Sequence, residues 1–215
     1  VSTVDDDTAG FTIVQTGGST AVAETGTTDT FTVVLDAQPN SNVVLSVTSG
    51  DTGESTVSTG NLTFTSGNWN TPQTVTVTGV DDNIIDGTVT SVITLSVVDA
   101  VTDDNFDAVA NQTVSATTAD NDTAGFTVVE SGGSTSVSET GTTDTFTVVL
   151  DAQPDSDVVF IIASNDTGEA TVTNALTFTS TNWNTPQTVT VTGADDDIID
   201  GTISTTVDVA INDGA

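Results

Sequence analysis

The sequence predicts an all-β protein made of two tandem antiparallel β-sandwiches, the second lacking its last strand. Three observations carry this. Apolar residues alternate with Thr and Ser at a period of two, no helical apolar stripe of useful length occurs, and one domain-sized unit appears twice. In Thr30–Leu35, the residues Phe31, Val33 and Leu35 share one face. Leu62 and Phe64 alternate with Thr63 and Thr65, and Val75 and Val77 oppose Thr74, Thr76 and Thr78. Ile93, Leu95 and Val97 alternate with Thr94 and Ser96. Successive side chains of a strand point to opposite faces, so each run has one face to bury and one to solvate. Clusters of Gly, Pro, Asn and Asp between the runs read as turns. About seven short strands in roughly 110 residues fit a sandwich.

The duplication sets the domain plan. Asp7–Thr12 recurs as Asp122–Thr127, and Thr25–Pro39 as Thr140–Pro154, both 115 residues further on. Asn68–Gly79 recurs as Asn182–Gly193, 114 residues on, so one residue is lost between Glu54 and Phe64 or their counterparts. A repeat of this length is a whole domain, not a solenoid unit. Residues 1–7 read as the tail and linker of a preceding repeat, 8–119 as repeat 1, 120–122 as a linker and 123–215 as a truncated repeat 2. Ala215 aligns with Val101, and Val1–Val4 align with Ala116–Ala119. The chain is out of phase with its own repeat and opens on Val1, so it reads as a segment of a longer protein.

Charge narrows the chemistry. The chain carries 31 Asp and Glu, no Lys, Arg or His, and a net charge of −31. No side-chain cation exists to pair with a carboxylate, and close or buried carboxylates are costly without one. Fifteen of the acids fall in five clusters: Asp5, Asp6, Asp7; Asp81, Asp82, Asp86; Asp103, Asp104, Asp107; Asp120, Asp122; and Asp195, Asp196, Asp197, Asp200. An external cation would offset that crowding. The plainer reading is a set of polar turns, since Asp favours turns; the two are compatible, because calcium loops are Asp-rich turns. The negative charge argues against nucleic acid and anionic membranes as partners. No stretch is long and apolar enough to span a bilayer. Without His or Cys, the usual zinc, copper and haem ligands are absent, which leaves hard oxygen donors suited to calcium or magnesium.

Several motifs together resemble a known family. They are Leu62-Thr63-Phe64-Thr65, Asn68-Trp69-Asn70-Thr71-Pro72-Gln73-Thr74-Val75-Thr76-Val77, Gly79-Val80-Asp81-Asp82-Asn83-Ile84-Ile85-Asp86-Gly87 and the closing Asp120-Asn121-Asp122-Thr123. Each unit resembles a Calx-β repeat of the kind found in tandem in large bacterial surface and secreted proteins. The resemblance implies an immunoglobulin-like sandwich that binds Ca2+ at one end. It implies as ligands Glu24, Asp51, Asp81, Asp82, the Ile84 carbonyl, Asp86, Asp120 and Asp122. In the second copy the matching positions are Glu139, Asp166, Asp195, Asp196, Ile198 and Asp200, with Asp197 adding a charge where the first copy has Asn83. Asp5, Asp6 and Asp7 would close the unit before this chain.

Other features are weighed against simpler readings. Trp69 and Trp183 invite a sugar-stacking role, but a ring that caps the sandwich beside Pro72 or Pro186 is the favoured reading. The sequons at Asn61, Asn111, Asn121 and Asn165 are no more than a Ser- and Thr-rich composition produces by chance. The hairpin acids Asp103, Asp104 and Asp107 are a weaker metal candidate than the loop acids. Catalysis lacks His, Cys and Lys for an ordinary nucleophile–base pair. The expectation is a non-enzymatic, extracellular, cell-surface repeat that calcium rigidifies into a rod or fibre segment. Its partners would be neighbouring repeats or copies of itself, with an adhesin module for glycan or protein as the alternative. Strand addition by Val1–Val4 of a neighbour to copy two would give a head-to-tail filament; equally, the peptide simply continues.

Overall fold

The computed structural model describes residues 1–173, 175–199 and 201–212. Two compact units divide the chain: Val1–Asp82 with Asp86–Asn121, and Asn83–Ile85 with Asp122–Ala215.

The first unit holds nine strands: β1 (Phe11–Gln15), β2 (Thr20–Ala23), β3 (Thr28–Leu35), β4 (Val43–Ser49), β5 (Ser55–Val57), β6 (Asn61–Phe64), β7 (Gln73–Gly79), β8 (Val89–Val97) and β9 (Gln112–Ala119). They form one sheet in the order β1-β3-β7-β5 and a second in the order β2-β9-β8-β4-β6. The predicted alternation is what each sheet buries. Phe31, Val33, Leu35, Val75 and Val77 face inward from the first sheet; Leu45, Phe64, Ile93 and Leu95 meet them from the second. Each such side chain, taken from water, stabilises the fold by about 1.5–3 kcal/mol. Trp69 is half-buried and packs on this core, as the capping reading expects.

One pairing is not antiparallel. β2 runs parallel to β9, with Thr20 opposite Ala116 and Ala23 opposite Ala119. The cause is local. After β1, the chain turns through Thr16–Gly18, where Gly17 and Gly18 have φ of 70° and 89°, a region open to glycine. The turn carries β2 out of the first sheet and onto the edge of the second. Strands that switch sheets at such bends are a regular feature of packed sheets.

The second unit repeats the plan with β10 (Phe126–Glu130), β11 (Thr143–Leu150), β12 (Val158–Ser164), β13 (Ala170–Val172), β14 (Ala175–Phe178), β15 (Gln187–Gly193) and β16 (Val207–Ile211). Its sheets run β10-β11-β15-β13 and β14-β12-β16. Phe160 packs edge-to-face on Phe126 and Phe178, with centroids 4.9 and 5.8 Å away, and Trp183 packs against this core. Among the described residues no strand corresponds to β2 or β9.

Gly79 ends β7 against β2. A Cβ there would lie 2.1 Å from the Ala23 carbonyl oxygen, which no rotamer relieves. Gly79→Ala must push β2 away from β7 and is expected to lower stability by roughly 2–3 kcal/mol. Gly60→Ala, where no neighbour lies within 4 Å of the added Cβ, is the control. Thermal unfolding of the two variants checks this, with only Gly79→Ala expected to melt markedly lower.

Candidate metal centre

The Gly79–Ala23 approach places Glu24, the residue after β2, beside the loop that follows β7. Glu24 is 98% buried, at 2% exposure. Its Oε2 accepts hydrogen bonds from the Asn121 backbone N–H at 3.0 Å and the Asn121 Nδ2 at 3.4 Å. Asn121 Nδ2 also donates to Asp81 Oδ1 at 2.8 Å. Across the same loop, the Gly87 N–H donates to Asp120 Oδ2 at 2.9 Å. These contacts tie the 81–87 loop to the end of β9. An open depression of about 510 Å³ lined by Glu24, Gly79, Asp81 and Asn121 gives solvent access.

A second buried acid joins Glu24. Glu54 immediately precedes β5 and is 6% exposed. Its backbone is pinned: its carbonyl oxygen accepts the Val80 N–H at 2.9 Å and the Thr118 hydroxyl at 3.2 Å. That anchoring holds its side chain toward Glu24 and Asp86, and one carboxylate oxygen from each of the three lies within 4.8 Å of the others. Glu54 Oε2 is buried with no hydrogen-bond partner. Burial pushes the Glu54 carboxyl above its ordinary range, and the negative charges of Asp86, Asp82, Asp51 and Glu24 push it further. A buried acceptor without a donor, among like charges, is expensive. A hard divalent cation removes both costs, and every donor available is an oxygen of the kind calcium takes.

The remaining expected ligands fall in several places. Asp82 is half-buried near Glu54, and Asp120 is half-buried at the end of β9. Ile84 lies in the short stretch that belongs to the second unit, and half-buried Asp122 begins the main part of that unit. Asp51 caps its own turn, with Oδ1 accepting the Gly53 N–H at 3.0 Å. Asp166 does the same for Gly168 at 3.0 Å. Glu54 is the acid of that loop which reaches the cluster, and the sequence reading did not single it out. The alternation of β5 carried no signal for it, because a period of two that buries Ser55 and exposes Thr56 would leave the residue before Ser55 exposed.

In the second unit, Glu139 and Glu169, the counterparts of Glu24 and Glu54, are both half-buried beside a cleft of about 350 Å³. Asp195 and Asp197 are exposed, as is Ile198, and Asp196 Oδ1 accepts the Ile198 N–H at 2.7 Å. Asp200 lies outside the described residues. Asp5, Asp6 and Asp7 are exposed and mutually close, with the Asp7 N–H donating to Asp5 Oδ1 at 3.1 Å.

Asp103 has a different job. It is buried, and four donors saturate it: the Asn40 and Ser41 N–H groups at 2.6 and 2.8 Å, and the Asn105 N–H and Nδ2 at 3.1 and 2.9 Å. The Ser41 and Asn105 N–H bonds hold its carboxyl below the usual range. It clasps two loops together and has no oxygen to spare for an ion. Asp107 is raised by desolvation and by sharing a hydrogen bond with Asp99.

No protein-family model matches the chain, and no curated protein matches it. Solved structures do. The chain is similar to CBD12 from CALX1.2 at 16% identity, with a TM-score of 0.38 over 92% of this chain and 79% of that one. It is similar to the calcium binding domain CBD12 of CALX1.1 at 15% identity, with a TM-score of 0.38 over 93% and 80%. The S-layer protein rSbsC(31-844) is similar at 15% identity, with a TM-score of 0.36 over 97% of this chain and 27% of that one. The sandwich architecture rests on the strand order and cores described above. No helix of the described residues is long and apolar enough to cross a membrane.

The Glu54 shift has a definite sign. Its pKa is higher folded than unfolded, so ionisation favours the unfolded chain. Without metal, unfolding free energy should fall as pH rises from the ordinary glutamate value of 4.5 through the folded pKa. Glu54→Gln should flatten that fall. Asp103 acts oppositely: the stability it adds is present above the usual aspartate range and is lost as pH drops through its lowered folded pKa. Denaturant unfolding in EDTA across this pH range checks both signs, and an unchanged profile for Glu54→Gln would contradict the burial account.

Proposed function

We propose that the chain is a non-enzymatic, calcium-binding β-sandwich repeat of an extracellular surface protein, and that the ion stiffens it into a rod or fibre segment. The observation that carries this is the unpartnered, buried Glu54 Oε2 beside Glu24 and Asp86, in a chain that has no Lys, Arg or His. Glu24, Glu54 and Asp86 would hold the ion, with Asp81, Asp82 and Asp120 close enough in the same loop system to add oxygens. Bound there, calcium supplies positive charge and no reaction chemistry. It would fix the 81–87 loop against Asp120, the point where the chain leaves the first unit. An exit segment that is held, rather than repelled by its neighbours, makes a stiffer array.

The resemblance to Calx-β repeats, carried by the motifs around Trp69 and Asp81, supports the same ion. An extracellular site fits an ion supplied by the medium. Trp69 and Trp183 are half-buried and pack on the cores, which favours a packing role for them over the adhesin alternative.

Calcium at a hundredfold excess over Kd should stabilise the first unit by about 2.7 kcal/mol, a rise in Tm of roughly 8–20 °C. Glu54→Gln should cost at least about tenfold in affinity, read by calorimetric titration. X-ray scattering should show a larger spread of conformations in EDTA than in calcium. A melting temperature and a scattering profile that both ignore calcium would sink the reading.

A further inference from the structure

The outward face of the β1-β3-β7-β5 sheet is built almost wholly from one residue type. The core takes Phe31, Val33, Leu35, Val75 and Val77. Thr28, Thr30, Thr32, Thr74, Thr76 and Thr78 therefore point away from it, exposed or half-buried. Register sets them directly opposite one another: Thr28 with Thr78, Thr30 with Thr76 and Thr32 with Thr74. β5 extends the first rank, with Thr56 opposite Thr78, and β1 extends the last, with Val14 opposite Thr32. Thr30 shares a hydroxyl bond with Thr16 at 2.8 Å. The other five hydroxyls have no partner among the described residues. In a chain of 31 acids, no carboxylate interrupts this array. Asp29 takes an inward position, where its Oδ2 accepts the Ala21 N–H at 2.9 Å, and Asp36 stands beyond the end of β3, where it accepts the Thr12 hydroxyl at 2.7 Å.

The second unit carries the same array. Thr143 lies opposite Thr192, Thr145 opposite Thr190 and Thr147 opposite Thr188, with Thr171 beside Thr192. Where the copies differ, the differences avoid this face. Thr12 and Val14 of β1 recur as Thr127 and Val129, while the inward Ile13 and Gln15 become Val128 and Glu130. Thr56 of β5 recurs as Thr171, while the buried Ser55 becomes Ala170. The outward face of the other sheet is not kept in this way: Thr48 opposite Thr94 in the first unit becomes Ala163 opposite Asp208 in the second. Thr–Thr pairs support strand pairing, but that benefit would apply to both faces alike.

We infer that this threonine face is an ice-binding surface, and that its partner is the ordered water lattice of an ice crystal. Strands stand about 4.7–4.9 Å apart, and residues two apart on one strand are about 6.4–6.8 Å apart. Both repeats lie near those of the oxygen rows on the prism face of hexagonal ice. Each threonine offers a hydroxyl that holds a water and a methyl that fills the gap between waters. Its branched side chain keeps few rotamers, so the array is ordered before ice arrives and little freedom is lost on contact. A carboxylate would impose its own hydration shell, which is why the absence of acids matters. A sugar partner is less well served, because the face has no aromatic ring to stack on and no amide or charged group to orient hydroxyls. Adjacent strands twist by roughly 20–25°, so a flat match spans only neighbouring strands. The expected activity is adsorption to ice and slowed recrystallisation, not a large depression of the freezing point.

This goes beyond the proposed function and does not need the ion. The test is ice-affinity partition: ice is grown slowly from a dilute solution of the 215-residue chain, in calcium and in EDTA, and protein is measured in the ice and in the remaining liquid. The chain is expected to concentrate in the ice in both buffers, and to slow recrystallisation, while an acidic bystander protein stays in the liquid. Thr76→Asp combined with Thr190→Asp places a charge at the centre of both arrays and should abolish the enrichment. Thr94→Asp is the matched control on the other sheet, where the second unit already has Asp208, and should partition as the parent does. Melting temperatures are read beside the partition. If the double Asp variant melts lower than the control, Thr76→Tyr with Thr190→Tyr replaces it, since Tyr favours strands but is too large for the lattice; loss of enrichment is again expected. A parent chain excluded from ice overturns the inference, including the case in which it binds insoluble polysaccharide instead. So does a folded double variant that enters ice as its parent does. Calcium-dependent melting is a separate measurement, so neither reading stands or falls with the other.

Discussion

Carboxylates without an internal counterion are the constraint on which this structure turns. A globular chain normally spends Lys and Arg to neutralise acids that packing draws inward. This one has none, yet it buries Glu24 and Glu54 almost completely and sets Asp86 beside them. Two kinds of solution appear. Asp103 is satisfied from within by four N–H donors, and Asp144 by the Ser136 and Thr145 N–H groups and the Ser131 hydroxyl. Glu54 Oε2 has no such partner. The first kind makes a self-contained clasp. The second leaves a place whose stability depends on what the solvent brings.

The sandwich makes that dependence local. Apolar faces of β3, β7, β4 and β8 supply a core that needs no charge, and the acids gather at loops and strand ends. The close approach of Gly79 to Ala23 matters because it brings the end of β2 to the loop after β7. Residues far apart in sequence, Glu24, Glu54, Asp86 and Asp120, become neighbours through two strand crossings and a few backbone hydrogen bonds. Among the described residues the second sheet of the second unit runs β14-β12-β16, and the counterparts of Glu24 and Glu54 there are half-buried.

Much of this was legible in the sequence. Alternation in Thr30–Leu35 and Thr74–Thr78 carries over directly into β3 and β7, because a period of two admits only one burial pattern per strand. The parallel β2–β9 pair was not legible, since nothing in Thr20–Ala23 says which sheet it joins; the Gly17–Gly18 turn decides that in three dimensions. Nor was the role of Glu54. Asp51 looks the better ligand by analogy, but its carboxylate is drawn to the Gly53 N–H two residues on, a local bond that short acidic side chains at turns readily make. Glu54 reaches the cluster because the Val80 and Thr118 bonds fix its backbone, and both partners are distant in sequence.

The most direct test of the central claim is a crystal structure grown with calcium, with the ion located by its anomalous scattering. The account predicts a peak bonded to oxygens of Glu24, Glu54 and Asp86 at about 2.3–2.6 Å. Absence of that peak, with Glu54 Oε2 instead hydrogen-bonded to protein or water, would contradict it.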